Sequence, residues 1–217
     1  MVFEKKKHKV LADGIAEDIK NAIIKGEIKP GERIIESQIA KEMGVSRSPL
    51  REAIQKLEKE NILVVIPYKG IYVNILGKKE IEDIYNLRVI LEAYAIKKII
   101  EKKDKKILQI LSKKAKYLED AVKKGQVEDL AKKDVEFHRT ICYFANNNKL
   151  MEIWEGFTEQ VEILISLEEK YNKRLETTLK EHEELLFLIA KGEIVESQKK
   201  IKSHILDSLE LLKKHIS

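Results

Sequence analysis

Four side chains in the second half of the sequence, Asp134, His138, His182 and His204, have the types and spacing of a metal site. Asp134 and His138 are four residues apart and share one helix face, inside an apolar stripe of Val127, Leu130, Phe137, Ile141 and Ala145. Both should point into a bundle, where an uncompensated ionisable group is expensive. His182 lies among Leu179, Leu185, Leu186 and Ile189, and His204 follows Ile201 by three. Gly192 comes ten residues after His182 and twelve before His204, so an antiparallel helix pair folded there brings both to similar heights at about 1.5 Å rise per residue. One carboxylate and three imidazoles suit a divalent transition ion such as zinc, nickel or manganese, and two open positions of an octahedral shell can accept a ligand carboxylate. Taken singly, each histidine fits an ordinary core or surface position. Three of the chain's five histidines meeting one geometry favours ligation.

A second constellation lies near the other end. Arg47 and Arg51 are four residues apart at the start of SRSPLREAIQKLEKEN, and arginine makes the bidentate contact to guanine O6 and N7. Ser46 and Ser48 bring hydroxyls suited to phosphate oxygens, beside the helix's own first-turn N–H groups. Leu50, Ala53, Ile54 and Leu57 form the opposite, packing stripe. A basic arm of Lys5, Lys6, Lys7 and Lys9 is available to a groove, although charged termini are more often solvated.

These side chains need elements to hold them. Apolar spacing predicts a helix over 10–25, a short helix in ESQIAKEMG opened by Ser37, and a third from Ser46, its N-cap, to about Asn61. Gly44-Val45-Ser46 is then a tight turn between two helices, and LVVIPY and GIYVNIL, separated by Lys69-Gly70, read as the only hairpin. Three helices and a hairpin in that order make a winged helix-turn-helix, whose second helix enters the major groove. Beyond a boundary near Leu76-Gly77-Lys78 everything reads as helix: 79–101, 105–124, 126–146, 149–170, 174–191 and 193–216. The predicted class is mainly α, with a winged helix-turn-helix over 1–76 and an all-α antiparallel helical bundle over 77–217.

The stretch PGERIIESQIAKEMGVSRSPLREAIQKLEKENILVVIPYKGIYV resembles the DNA-binding domain of the GntR family of transcription regulators, with GVSRSPLREAIQKLE close to its central signature. The resemblance implies that Arg47, Ser48 and Arg51 contact operator DNA and that Lys69-Gly70 forms a wing tip inserted in the minor groove. Ser37 stands where some members carry a DNA-touching arginine, and Asn61 replaces the usual glycine after the recognition helix. The second half resembles the FadR C-terminal-domain (FCD) class of that family, an antiparallel bundle that binds small effectors. By that resemblance the pattern D-x-x-x-H, then two spaced histidines, makes Asp134, His138, His182 and His204 the metal ligands, and many such domains bind a small carboxylate against the metal. Arg88 resembles an arginine common near the start of this domain, placed either to reach the effector or to pair with Glu92 four residues on.

Composition narrows the classes. Three Pro and nine Gly in 217 residues disfavour a sandwich or barrel, and the single Cys142 excludes an internal disulfide framework and cysteine-based zinc sites. No apolar run reaches the ~18 to 20 residues of a membrane span, so the expected location is the cytoplasm, with no membrane partner. Residues 1–75 carry 14 basic and 11 acidic side chains, leaving 28 and 26 for the rest, so the excess charge is denser where a polyanion should bind. The reading is a homodimeric, effector-responsive regulator of double-stranded operator DNA, not an enzyme. A direct metal sensor and a metal-dependent hydrolase are the rivals. The hydrolase has no assigned oxyanion donor and leaves the N-terminal domain without a purpose.

Overall fold

The glycines and asparagines that punctuate the sequence set the turns of the structure, a computed structural model that describes residues 6–125, 127–172 and 175–215, with the side chains of 6–9, 127–128, 172 and 175 outside that description. Lys5 of the basic arm, and the side chains of Lys6, Lys7 and Lys9, therefore lie outside the described residues. The chain divides between Ile75 and Leu76 into two compact units.

The first unit holds α1 (Lys6–Lys25), β1 (Arg33–Ile34), α2 (Glu36–Glu42), α3 (Arg47–Lys59), β2 (Leu63–Ile66) and β3 (Gly70–Val73). Ile15, Ile19 and Ile23 of α1 meet Leu50, Ile54 and Leu57 of α3, all buried, and each such side chain stabilises the unit by about 1.5–3 kcal/mol. Gly44, at φ 64, allows the turn from α2 to α3, and Asn61, at φ 54, does the same between α3 and β2. Ser46 takes the N-cap position of α3, but its side chain makes no capping bond.

Helix α2 begins at Glu36 with Ile35 at its N-cap, so Ser37 lies inside the first turn instead of opening the helix. Three further expectations need correction here. The sheet has a third strand, in the order β1-β3-β2, because Gly31 N donates to Val73 O and Val73 N to Glu32 O at 2.9 Å each. The hairpin loop is Pro67-Tyr68-Lys69, with Tyr68 left-handed at φ 62, while Gly70 already pairs with Ile66 in β3. The third lies in the second unit, where the helix expected over 149–170 is two.

That unit contains α4 (Lys78–Lys102), α5 (Lys105–Lys124), α6 (Val127–Phe144), α7 (Asn148–Glu155), α8 (Thr158–Asn172), α9 (Leu175–Lys191) and α10 (Ile194–Lys213). The break between α7 and α8 has a local cause: Gly156 N and Phe157 N bond three residues back, to Ile153 O and Trp154 O, which tightens the turn and seats Phe157 in the core. The breaks at Lys103-Asp104, Gly125, Asn146-Asn147 and Gly192 fall as expected, while Lys173 of the break expected before 174 lies outside the described residues. Asp104 accepts from Lys106 N as the N-cap of α5, Asn147 caps α7, and Gly125 and Gly192 are left-handed. Helix α10 packs on α4, α5 on α6 and α9, and α6 on α4 and α8, around buried Phe137, Ile141, Trp154, Ile201 and Leu212. Trp154 fills the core and Met151 packs against it, while Met43, the C-cap of α2, is only half-buried, and that helix buries no residue fully. Cys142 is buried, which pushes its thiol well up, and no described helix is long and apolar enough to cross a membrane.

Candidate metal centre and nucleic-acid interface

Asp134 and His138 project from successive turns of α6, His182 from α9 and His204 from α10, and their ligand atoms all lie within 4.8 Å of one another. Nε2 of His138 stands 3.2 Å from Nε2 of His182 and 3.3 Å from Nε2 of His204. The Asp134 carboxylate lies 3.1 Å from His182 Nε2 and 3.5 Å from His138 Nε2. His138 and His182 are buried, and His204 keeps only 11% of its side chain exposed.

Each outward ring nitrogen has an acceptor. His138 Nδ1 meets Glu92 Oε2 at 2.5 Å, His182 Nδ1 meets Thr178 O at 2.7 Å, and His204 Nδ1 meets Glu181 Oε2 at 2.8 Å. Acceptors in that position hold the proton on Nδ1 and turn the Nε2 lone pairs inward. Three inward lone pairs and a carboxylate repel one another unless positive charge lies among them. Against the cost of burial, Asp134 already raises the His182 imidazole toward its protonated form, and a divalent cation would supply that charge to all four groups. A transition ion with bonds of about 2.0–2.1 Å needs ligand atoms separated by roughly 3 Å, close to the 3.1–3.5 Å of the His138–His182, His138–His204, Asp134–His182 and Asp134–His138 pairs. Burial pulls the His204 imidazole down to about 4, so it is neutral and able to ligate. Burial works against a charged Asp134, yet positive charge on the neighbouring imidazoles, foremost His138 and His182, outweighs burial and holds the carboxyl far below its usual range; a cation among the four groups would act in the same direction. The residues present fit a divalent ion.

Arg88 makes the expected pair with Glu92. Its Nε donates to Glu92 Oε1 at 3.1 Å with both side chains buried, and its guanidinium lies 5.3 and 5.7 Å from the ring centres of Tyr85 and Trp154. The same Arg88 lines a cavity of about 10 Å3 with Asp134, His204, Glu168, Glu169 and Ser208, room for about one water molecule. Arg139, next to His138 in sequence, is half exposed and donates to Glu155 at 2.6 Å.

In the first unit Arg47, Arg51, Lys69 and Gly70 line one open groove between α3 and the hairpin. Ser46 and Ser48 are exposed at the head of α3, next to that groove in sequence. Arg51 is not idle: its Nε bonds Glu36 Oε1 at 3.0 Å. With Arg51 63% exposed, such a pair is worth about 0–1 kcal/mol, little enough for a phosphate or base to displace it.

Sequence reading missed the groups behind the imidazoles. Glu92 was visible only as a partner for Arg88, and the acceptor behind His182 is the backbone carbonyl of Thr178 one turn earlier, which any residue at that position would supply. It also missed Arg33, which lines the groove from β1.

Comparison with known proteins agrees with this division. Residues 83–207 match the FCD domain family, and residues 11–73 match the family described as bacterial regulatory proteins, gntR family. The chain is 32% identical over 196 residues to the uncharacterized HTH-type transcriptional regulator YdhC of Bacillus subtilis (strain 168), covering 90% of this chain and 88% of that protein. It is 31% identical over 175 residues to the gluconate operon transcriptional repressor of Bacillus licheniformis, covering 78% of this chain and 71% of that one. A crystal structure of a putative GntR transcriptional regulator from Rhodococcus sp. RHA1 shares the fold, with a TM-score of 0.80 at 18% identity over 95% of this chain and 99% of that one.

Proposed function

The chain belongs to the GntR family of transcriptional regulators, in its FCD class, and from that premise we propose that it is a homodimeric, cytoplasmic regulator whose sensor domain holds a divalent transition ion and reads a small carboxylate. The observation that carries the metal reading is the convergence of three Nε2 atoms whose Nδ1 partners are already satisfied. Asp134, His138, His182 and His204 would hold the ion, which supplies a Lewis-acidic centre for an anionic ligand. Arg88, fixed by Glu92, presents its guanidinium to the same cavity and would orient the carboxylate. The relative named for a gluconate operon lends the carboxylate reading support, gluconate being a carboxylate. Ser46, Arg47, Ser48 and Arg51 would meet operator DNA in the major groove, with Lys69 and Gly70 at the minor groove. A single head reads few base pairs, so two heads are needed for useful specificity. No step in this mechanism makes or breaks a covalent bond.

Helix α4 supplies a surface for the dimer. Leu87, Ile90 and Tyr94, spaced three and four residues apart, are 41%, 65% and 40% exposed on the side away from buried Ile81, Tyr85 and Ile96. Native mass spectrometry of the full chain is the test of the whole reading. The expected mass is a dimer with one ion per chain, and Ile90→Glu should shift it to monomer; a wild-type monomer without metal would reject the proposal.

The proposed domains, 1–76 and 77–217, predict that a fragment beginning at Gly77 folds alone, since its core of Phe137, Trp154, Ile201 and Leu212 comes from its own helices. Circular dichroism should show a helical fragment that melts cooperatively; a disordered spectrum would mean that the two units share one core.

A further inference from the structure

We infer that Arg33, on the short strand β1, is a further DNA-binding residue, a phosphate clamp held in place by the missing side chain of Gly70. This rests on the nucleic-acid interface proposed above and extends it to a residue outside the helix-turn-helix and the hairpin.

The geometry begins with strand register. Arg33 stands opposite Tyr72, so Gly70, two residues earlier on β3, is its diagonal neighbour on the same sheet face. A Cβ built on Gly70 would meet Arg33 Nε at 3.0 Å and Nη2 at 3.2 Å. The guanidinium therefore lies against the Gly70 backbone, at the first strand residue after the wing loop. It lines the groove shared with Arg47, Arg51 and Lys69.

Charge points the same way. Arg33 is exposed and, among the described residues, its side chain has no hydrogen bond or ion pair. Arg51, by contrast, is bonded to Glu36, and Ser37 lines the groove without a charge. Arg33, Arg47 and Lys69 thus stand as the groove's cations not engaged by a carboxylate. A guanidinium offers a planar fork of donors matched to a phosphate, and one flattened on a glycine has lost part of its rotamer freedom before DNA arrives. β1 also ties this cation to the wing, because β1 and β3 are paired. The occupant is the sugar–phosphate backbone of duplex DNA, where a strand-borne arginine positions the protein without reading sequence.

The test uses the full-length protein and a duplex selected from a random library by the wild type, with affinity measured across a salt series. Arg33→Ala should weaken binding roughly tenfold at moderate salt, and its log–log salt slope should be shallower by about 0.9 per head. Sequence preference should stay unchanged. Arg33→Lys, which keeps the charge, should restore most of the slope. Arg47→Ala is the reference: if it weakens binding while Arg33→Ala leaves affinity and slope unaltered, Arg33 is not a contact and the inference fails alone. If neither variant alters binding, the placement of the whole interface fails with it. A drop in melting temperature for Arg33→Ala with an unchanged slope would assign the residue to the sheet and overturn the clamp.

Discussion

Replacing His182 with alanine will remove most of the divalent ion from the purified protein, while His215→Ala will leave the full complement of one ion per chain. The difference follows from position. His182 presents Nε2 to Asp134 at 3.1 Å and to His138 Nε2 at 3.2 Å inside the bundle, whereas His215 is exposed and stacked on Tyr171, 4.6 Å between ring centres. Loss of one of four ligands leaves Asp134 and two imidazoles, a weaker and less enclosed set, so elemental analysis should read a small fraction of the wild-type content. Glu181→Gln removes only the charge behind His204 and should reduce ion affinity by a smaller factor, about 10–100-fold, the usual cost of losing an outer partner. Basal DNA binding should survive in both variants, because the arginine-bearing helix belongs to the other unit. Equal metal in wild type and His182→Ala would return the three histidines to ordinary core positions.

Arg47→Ala should cost operator binding about 1–3 kcal/mol and relax base preference at the position it reads. Arg47 begins α3, is exposed, and has no ion pair among the described residues, so its guanidinium is available without breaking anything first. Lys69→Ala should behave differently, weakening all sequences alike and flattening the salt dependence. Binding assays on the selected duplex and on single-base variants separate the two. An Arg47→Ala protein with unaltered affinity and selectivity would show that α3 does not occupy the major groove.

The convergence of Asp134, His138, His182 and His204 was legible because helix periodicity and one turn fix it: Asp134 and His138 are a helical pair, and Gly192 folds α9 back on α10. The same arithmetic could not reach Glu92, whose link to His138 spans 46 residues and depends on how α4 lies against α6. Strand β1 escaped for a different reason. Two residues show no alternation, and Arg33 and Ile34 follow a Pro-Gly turn that reads as loop. The break at Gly156 was hidden by an apolar pattern that continues through Trp154, Phe157 and Val161 across both helices. Patterns of burial come through from sequence; register and third partners come only with packing.

The cavity beside the proposed ion carries a kinetic consequence. Its volume of about 10 Å3 suits a water and no organic acid, so an effector must bind a form in which Arg88, His204, Ser208 and their neighbours have drawn apart. If that open form is a minor species, the measured dissociation constant is the intrinsic one divided by its fraction, so that a 1% population weakens apparent affinity about a hundredfold. Association should then plateau at the opening rate as effector concentration rises, instead of climbing in proportion to it. Substitutions that loosen the walls without touching the ligand would raise sensitivity, and tight packing of α8 against α10 would set the threshold at which the protein responds.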